Sequence, residues 1–221
     1  MGILYVVATP IGNLEDISLR ALRILSEADL ILCEDTRQTQ KLLNFYKIKK
    51  PTLSYHQHTG LNKTEYILEL LKSGKNLALV SDAGTPGISD PGGKLVALAT
   101  KENIQVLPVP GASALTSIIS ISGVPLDRFI FLGFLPHKKN RKKFIAEIIN
   151  SKYPVIFYES PYRIIKTLKE LLVLSVKKEV VVGRELTKKF ETVLRGDLEN
   201  VLKNIESDKI NSKGEFVVIV Y

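Results

Sequence analysis

Residues 76–92 read NLALVSDAGTPGISDPG, an apolar run followed at once by a loop rich in glycine, proline and aspartate. A short apolar run that ends in turn-forming residues is typical of a buried β-strand. Runs of the same kind alternate with helical patterns along the sequence, from ILYVVA at residues 3–8 to EFVVIV at residues 215–220. This alternation predicts an α/β fold in which helices cover both faces of the sheets and some strands pair in parallel.

The predicted strands and helices fall into two groups along the chain. A stretch rich in proline and glycine ends at Gly111, where the charge balance of the chain also changes. We therefore predict an N-terminal α/β domain at residues 1–111 and a C-terminal α/β domain at residues 112–221. The last strands, around residues 179–195 and 215–220, have less helix between them, which favours antiparallel pairing.

Three short sequences predict helix ends. In Asp90-Pro91 and Ser160-Pro161 a side chain that accepts hydrogen bonds precedes proline. This pairing is expected at an N-cap and the first helical residue. Gly74 follows an apolar helical pattern and is expected at a helix carboxyl end.

The positive charge of the chain is concentrated in its second half. The formal net charge is +8. Lys and Arg number 12 against 11 Asp and Glu in residues 1–112, an excess of +1, and 19 against 12 in residues 113–221, an excess of +7. This asymmetry suggests a polyanionic partner that approaches the C-terminal half. A merely basic, solvated surface explains the charge alone equally well.

Composition and spacing exclude several classes of protein. Cys33 is the only cysteine, so neither a disulfide within the chain nor a cysteine-based zinc site is possible. Proline and glycine interrupt the longest uncharged span, residues 103–126, so no membrane helix is expected. The amino-terminal sequence lacks the segments of a signal peptide, which favours a cytoplasmic protein.

Five polar segments follow predicted strands. In α/β sheets with parallel strands, ligands bind beyond the carboxyl ends of the strands, so we expect these segments to share one site. The segments are TPIGN at 9–13, EDTR at 34–37, SDAGTPGISDPG at 81–92, PGASA at 110–114 and YESP at 158–161.

The chemistry of the glycine-rich loop narrows the choice of ligand. The sequence contains neither G-x-G-x-x-G nor the P-loop pattern, and Asp82 and Asp90 would repel a phosphate. An acidic loop of this kind suits ribose hydroxyls or a cationic ligand better than a polyphosphate. Two Asx-type turns without a ligand are the alternative.

Nine stretches occur in a fixed order, and each alone is a weak signal. They are TPIGNLEDIS, EDTR, SYHQHT, LVSDAGTPGISDPG, PVPGASAL, GFLP, FYESPYR, RELTKKFE and KGEFVVIV. Together they closely resemble the ribosomal RNA small subunit methyltransferase I family of the tetrapyrrole methylase superfamily, over about residues 4–220. The resemblance implies two α/β domains with S-adenosylmethionine in the cleft between them, as in class III methyltransferases, and a homodimer. It also implies methyl transfer to the 2′-hydroxyl of a decoding-centre cytidine in the 16S rRNA of the small ribosomal subunit.

The resemblance further implies a set of cofactor contacts, carried across position by position. The missing G-x-G-x-x-G is consistent with it, because the superfamily does not share that motif. The implied contacts are Pro10, Ser81, Asp82, Ala83, Gly84, Ile88, Ser113, Ala114 and Tyr158.

The implied reaction needs no metal, because the sulfonium already activates the methyl group. The enzyme must align the ribose oxygen with the methyl group, which can contribute about 7 kcal/mol, and remove a proton, which contributes about 10²- to 10⁴-fold. Asp35, Glu34 and Glu159 are candidate bases at predicted strand ends, and we assign Asp35 and Glu159 as catalytic. A structural ion pair or a helix-start acid is the alternative, and for Glu34 it is equally favoured.

Basic residues are candidates for contact with the substrate. Arg37 could bind a phosphate in a bidentate manner. The stretch HKKNRKK, residues 137–143, favours phosphate contact by Lys138 and Arg141 over a merely solvated helix face. Lys188 and Lys189 follow each other in a segment expected to be extended, so only Lys188 is assigned to the substrate.

Two further polar residues complete the predicted substrate set. Asn13 ends the TPIGN segment. His56 and His58 would share one face of a strand, but a metal site needs a further ligand and only His137 remains. We therefore expect no metal, and for His58 both substrate contact and simple packing are open.

Overall fold

Ten strands and eight helices follow one another in the part of the chain that the structure describes. The structure, a computed structural model, describes residues 1–56, 59–174, 178–207 and 213–221. The chain divides into two compact units, Met1–Ser113 and Ala114–Tyr221, each with one five-stranded sheet. The predicted α/β fold is confirmed.

The sheet of the first unit is entirely parallel and has the strand order β3-β2-β4-β1-β5. Its strands are β1 Ile3–Val7, β2 Leu30–Cys33, β3 Thr52–Ser54, β4 Leu77–Leu79 and β5 Gln105–Val109. Its helices are α1 Leu19–Glu27, α2 Thr36–Phe45, α3 Leu61–Lys72 and α4 Gly93–Lys101.

Alternate residues of each strand face opposite sides of this sheet, and both sides are covered by helices. In β1, Val7 packs in a core cluster with α1 and α2, whereas Leu4 packs in a second cluster with α3 and α4. In β2, Ile31 and Leu32 divide in the same way. Because helices cover both faces, β1, β2 and β4 are apolar throughout instead of alternating with polar residues.

The carboxyl end of α3 follows the prediction. Gly74 has a positive φ of 95°, and its N–H donates to the Leu71 carbonyl at 3.1 Å. The N–H of Lys75 donates to the Leu70 carbonyl at 3.0 Å. These two bonds form a Schellman motif, which glycine permits because it lacks a Cβ. The predicted cap at Gly74 is confirmed.

The two predicted N-caps differ from the structure. α4 begins at Gly93, and its N-cap is Gly92 rather than Asp90. The φ of 137° at Gly92 is a conformation that only glycine adopts readily, so the helix can start only after it. α7 begins at Ile164, whose N–H donates to the Ser160 carbonyl at 3.1 Å. The backbone carbonyl of Ser160 therefore accepts a hydrogen bond in the turn that leads into α7.

The sheet of the second unit is mixed and has the strand order β6-β7-β10-β8-β9. β6 and β7 are parallel, whereas β10 is antiparallel to both β7 and β8, and β8 is antiparallel to β9, as predicted. The strands are β6 Ile130–Phe134, β7 Val155–Glu159, β8 Glu179–Arg184, β9 Thr192–Asp197 and β10 Phe216–Val220. The helices are α5 Ala114–Ile121, α6 Arg141–Asn150, α7 Ile164–Leu174 and α8 Leu198–Ser207.

The core of the second unit lies between this sheet and α6, α7 and α8. Phe157 of β7 and Val218 of β10 are completely buried there, together with Leu168 of α7 and Val201 of α8. The parallel pair β6 and β7 places the loops that follow them at one edge of the sheet.

Candidate active site

Four polar loops of the first unit lie side by side at one edge of its sheet. All strands of this sheet are parallel, so the loops that follow them leave at the same edge. The strand order puts residues 81–92 between residues 34–37 and residues 9–13, with residues 110–113 beyond the latter. The glycine-rich loop is therefore central, in the position where α/β sheets bind ligands.

Backbone and hydroxyl contacts fix the start of the glycine-rich loop. Thr9 and Gly84 form a two-bond antiparallel bridge, with N–H to carbonyl distances of 2.8 and 3.0 Å. The Thr9 hydroxyl donates to the Ser81 carbonyl at 3.1 Å, and the Thr85 hydroxyl donates to the Ala112 carbonyl at 3.1 Å. Three of the loops are thereby joined, so a ligand that binds here orders little further backbone.

Two of the predicted cofactor residues in this loop are buried, and two are exposed. Ser81 and Gly84 are buried, and the Ser81 hydroxyl donates to the Gly84 carbonyl at 3.3 Å. Gly84 has a φ of 83°, and a Cβ there would lie 3.3 Å from Ile11 Cγ2, so glycine suits both the turn and the packing. Asp82 and Ala83 are exposed. A ligand above the loop would meet Asp82 and Ala83, while Ser81 and Gly84 shape the backbone beneath them.

Other predicted residues lie on the neighbouring loops. Pro10 and Ile88 are partly exposed, whereas Ser113 is only 6% exposed. Asn13 caps a short 3₁₀ helix, Leu14–Asp16, because its side-chain oxygen accepts the Glu15 N–H at 3.1 Å. The structure thus gives Asn13 a local capping role at the edge where the loops meet.

Asp35 is held by its own helix and by Arg37. It is the N-cap of α2, and its Oδ1 accepts the Arg37 N–H at 2.8 Å. The Arg37 guanidinium binds both carboxylate oxygens, the closest approach being 2.7 Å from Nη2 to Oδ2. The side-chain and then the backbone hydrogen bonds from Arg37 lower the pKa of Asp35 to about 2. A carboxylate with this pKa is a weak base, so the geometry does not favour Asp35 as a proton acceptor.

The carboxyl group of Glu34 has a pKa shift opposite in direction to that of Asp35. It is half-buried at the end of β2, and burial raises the pKa of its carboxyl group, with repulsion from Asp82 the next cause. Asp35 raises this pKa further, and His56 lowers it. Asp82 links this segment to the glycine-rich loop, because its Oδ1 accepts the Asp35 N–H at 3.0 Å. Glu34 is therefore a stronger base than Asp35.

Glu159 corrects the sequence prediction. Its side chain is completely buried, its Oε1 accepts the Ser160 N–H at 2.9 Å, and its Oε2 accepts the Thr167 hydroxyl at 2.7 Å. The Arg163 guanidinium lies 2.7 Å from Oε1. Both oxygens are thus engaged inside the second unit, where a substrate hydroxyl cannot reach them. This geometry does not favour Glu159 as a catalytic base.

Arg141 corrects the prediction in a similar way. It is only 7% exposed, although it belongs to the basic stretch HKKNRKK. Its guanidinium donates to Glu170 at 2.8 Å, to the Thr167 hydroxyl at 2.7 Å and to the Pro136 carbonyl at 3.2 Å. These donors hold α6 against α7, so the geometry does not favour a contact between Arg141 and a substrate phosphate. Lys138, in the loop before α6, is exposed as expected.

Lys188 does not lie in an extended segment. β8 ends at Arg184, and the positive φ values of Glu185 and Thr187, 50° and 66°, turn the chain. The Lys188 ammonium binds Glu185 and Glu215, both at 2.9 Å. Burial would lower the pKa of Lys188, but these hydrogen bonds raise it. The ammonium is therefore committed to two carboxylates rather than presented to a polyanion.

Tyr158 and Ala114 are the predicted cofactor residues of the second unit. Tyr158 is half-buried in β7, and its ring packs edge to face with Phe131 at 5.1 Å and Phe134 at 5.4 Å between ring centroids. Phe134 is itself 54% exposed. Ala114 is the first residue of α5. No sequence pattern predicts the aromatic support of Tyr158, because the three rings meet only through the pairing of β6 with β7.

Three further expectations concern His58, a metal site and a membrane helix. His58 lies outside the described residues. Over the described ranges, no group of three or more His, Cys, Asp and Glu side chains is arranged to hold a metal ion. None of the helices in those ranges is long and apolar enough to cross a membrane.

Comparison with known proteins gives sequence relatives over the full chain. The family model described as "Tetrapyrrole (Corrin/Porphyrin) Methylases" matches residues 3–202. A protein of Thermotoga maritima named "Ribosomal RNA small subunit methyltransferase I" is 47% identical over 220 residues, covering 100% of this chain and 98% of the relative. A protein of the same name from Halalkalibacterium halodurans is 48% identical and covers 99% of this chain and 75% of the relative.

Solved structures share the fold at low sequence identity. A crystal structure of diphthine synthase covers 99% of this chain and 90% of its own, with a TM-score of 0.76 and 16% identity. Uroporphyrin-III C-methyltransferase from Thermus thermophilus, solved in complex with S-adenosyl homocysteine, covers 99% and 97%, with a TM-score of 0.65 and 19% identity. At these identities the likeness establishes the arrangement of strands and helices.

Proposed function

Because the chain belongs to the ribosomal RNA small subunit methyltransferase I family, within the tetrapyrrole methylases, we propose that it methylates 16S rRNA at the 2′-hydroxyl of a decoding-centre cytidine. The protein is a methyltransferase that uses S-adenosylmethionine. The observation that carries the proposal is the 47% identity to a small-subunit rRNA methyltransferase along 98% of that relative's length.

The loops of the first unit fit S-adenosylmethionine in shape and charge. Asp82 and Ala83 are exposed on a backbone that hydrogen bonds already fix, and Gly84 lies buried beside Ile11. The exposed carboxylate of Asp82 suits the ribose hydroxyls and the positive charge of this cofactor. We propose that Pro10, Ser81–Gly84, Ile88 and Ser113 hold it.

Glu34 is the proposed proton acceptor, in place of Asp35 and Glu159. When bound, S-adenosylmethionine supplies a methyl group that its sulfonium already activates. Glu34 would take the proton of the ribose 2′-hydroxyl, which would make the oxygen a better acceptor for that methyl group. Asp35 serves instead as the cap of α2 and the anchor of Arg37.

The substrate contacts are proposed from charge and exposure. Arg37 is 86% exposed and stays ionised beside Asp35, so it can bind a phosphate at the edge where the loops meet. Lys138 is exposed in the loop before α6. Asn13 lies on the loop after β1, at the same edge as Arg37.

The setting of the reaction is part of the proposal. We propose that the protein works in the cytoplasm as a homodimer and acts on rRNA within the small ribosomal subunit. The names of the relatives support an rRNA substrate. The excess of +7 in residues 113–221 supports a polyanionic one.

Transfer of labelled methyl groups from S-adenosylmethionine to small ribosomal subunits that lack the modification tests the proposal. The label should appear on a cytidine 2′-oxygen. Asp82→Ala should transfer far less label, because it removes the exposed carboxylate of the loop and the acceptor of the Asp35 N–H. Calorimetric titration with S-adenosylmethionine should show the same variant binding the cofactor more weakly.

Two results would contradict parts of the proposal. Tight cofactor binding without label in rRNA would mean that the acceptor is a different molecule. Wild-type affinity of Asp82→Ala for the cofactor would mean that the glycine-rich loop is not the cofactor site.

A further inference from the structure

A groove with a volume of about 1000 Å³ runs between α6 and α7 of the second unit. Part of its lining is apolar, from Ile145 of α6 and from Ile165, Val173 and Leu174 of α7. Val173 is 84% exposed and Leu174 is 58% exposed. The groove is thus an accessible apolar surface on one unit of the protein.

The rest of the lining is mainly cationic. Lys138 and Lys142 come from the α6 side, and Lys166 and Lys169 come from α7. The one carboxylate of the lining, Glu170, accepts a hydrogen bond from Arg141 at 2.8 Å and is largely neutralised by it. The groove therefore carries a net positive charge along both helices.

The lysines differ in how far the protein itself neutralises them. Lys169 is paired with Glu206 at 2.7 Å, and Lys166 lies 3.9 Å from Glu170. Over the described residues, Lys138 and Lys142 form no ion pair with a carboxylate. These two ammonium groups are available to an external anion.

The start of α6 is also arranged unfavourably unless an anion is near. Its first turn contains Arg141, Lys142 and Lys143 and no acidic residue, and the Asn140 side chain makes no capping hydrogen bond. Cations at a helix amino terminus are repelled by the helix dipole, and uncapped N–H groups there attract anions. An anion bound beside Lys142 would offset both effects.

We propose that this groove binds the sugar–phosphate backbone of the rRNA substrate, with phosphates on Lys138, Lys142 and Lys166 and riboses against the apolar lining. The inference rests on the proposed function and assigns a surface to its substrate. Lysine ammonium groups are compact charges that suit successive phosphates, and the second half of the chain carries the +7 excess. An acidic protein segment is the competing occupant, and the experiment separates the two.

The test compares two double variants that remove the same charge. Lys142→Gln with Lys166→Gln changes the groove, and Lys152→Gln with Lys203→Gln changes exposed lysines of the same unit that do not line it. Binding to a 16S rRNA transcript and to purified small ribosomal subunits is measured over a series of KCl concentrations. Each lost phosphate contact should reduce the slope of log K against log [KCl] by about 0.7, so the groove variant should lose about 1.4.

Each outcome bears on a different conclusion. The inference is supported if only the groove variant shows a shallower slope with both probes, while its calorimetric affinity for S-adenosylmethionine is unchanged. Equal slopes in the two double variants would overturn it. A loss confined to subunits, with a transcript that binds the wild type and the groove variant equally, would also overturn it, because the occupant would then be an acidic protein. A wild-type protein that binds the cofactor but methylates no rRNA would instead refute the proposed function.

Discussion

Glu34 and Asp35 are adjacent in the chain, yet their surroundings act on the two carboxylates in opposite directions. Arg37 lowers the pKa of Asp35 to about 2, whereas burial and the neighbouring Asp82 raise the pKa of Glu34. The first group stays ionised and weakly basic, and the second binds a proton more readily. At the scale of single residues, this contrast decides which carboxylate is suited to accept a proton.

Replacing Glu34 with Gln should lower kcat by about 10²- to 10⁴-fold, the usual contribution of a general base. Affinity for S-adenosylmethionine should change little, because Glu34 acts on the acceptor hydroxyl. Asp35→Asn is the matched control, since Asn also caps helices and Asp35 is not the base. Single-turnover methyl transfer measures both variants, and equal losses of kcat in the two would refute the assignment of Glu34.

The pH profile gives the same assignment a second readout. The base must be ionised, so kcat/KM of the wild type should fall as the pH falls through the pKa of Glu34. Because burial raises this pKa most, with Asp82 and Asp35 raising it further and His56 lowering it, the fall should begin above the ordinary range of a glutamate. The acid limb should disappear in Glu34→Gln. A wild-type profile that stays flat down to pH 4.5 would contradict the raised pKa.

At the scale of elements, a buried polar network joins β7 to α7 and α6. Glu159 at the end of β7 binds Thr167 of α7, and Thr167 in turn accepts a hydrogen bond from Arg141 of α6 at 2.7 Å. The Arg163 guanidinium forms an ion pair with the Glu159 carboxylate, with 2.7 Å between Nη2 and Oε1. The network fixes the residues that follow Tyr158, so Glu159 positions this segment instead of taking part in chemistry.

Glu159→Gln should reduce the free energy of unfolding by about 3 to 5 kcal/mol, because it leaves buried guanidinium groups without their counter-charge. Urea unfolding measures this loss. The folded variant, assayed in the absence of urea, should keep kcat within about 10²-fold of the wild type, since no base is removed.

Thr167→Val is the matched control within the network. Valine keeps the shape of the side chain and leaves the charges of Glu159 and Arg141 in place. It removes the hydroxyl that donates to Glu159 and accepts from Arg141, so the free energy of unfolding should fall by about 1 to 3 kcal/mol. A kcat loss beyond about 10²-fold in Glu159→Gln, with unfolding unchanged, would restore Glu159 as the base and refute the positioning role.

At the scale of the whole molecule, the proposed homodimer has a direct test. One chain has a mass of 24.6 kDa, so light scattering on the eluting protein should give about twice this value at micromolar concentrations. The measurement should be repeated in high salt, where a contact made only by surface charges would weaken. A mass of one chain under both conditions would refute the homodimer.

The sequence predicted most of the fold because its signals are local. The apolar runs such as LILC and FVVIV marked strands, and Gly74 marked a helix end, since each depends on neighbours within a few residues. The prediction of Asp90 as the N-cap of α4 was wrong, because the helix begins only after Gly92, whose φ is 137°. The clustering of the first-unit loops was also predictable, because parallel strands end at the same edge.

The sequence by itself therefore determined the α/β alternation, the polar strand ends and the family motifs. Only the tertiary structure decided what the charged residues do. Glu159 and Arg141 read as an acid at a strand end and a member of a basic stretch. Yet Arg141 bonds residues 26 and 29 positions away along the chain, and Glu159 bonds Thr167, 8 positions away. Burial and distance set the energy of a charge, and both are properties of the packed chain.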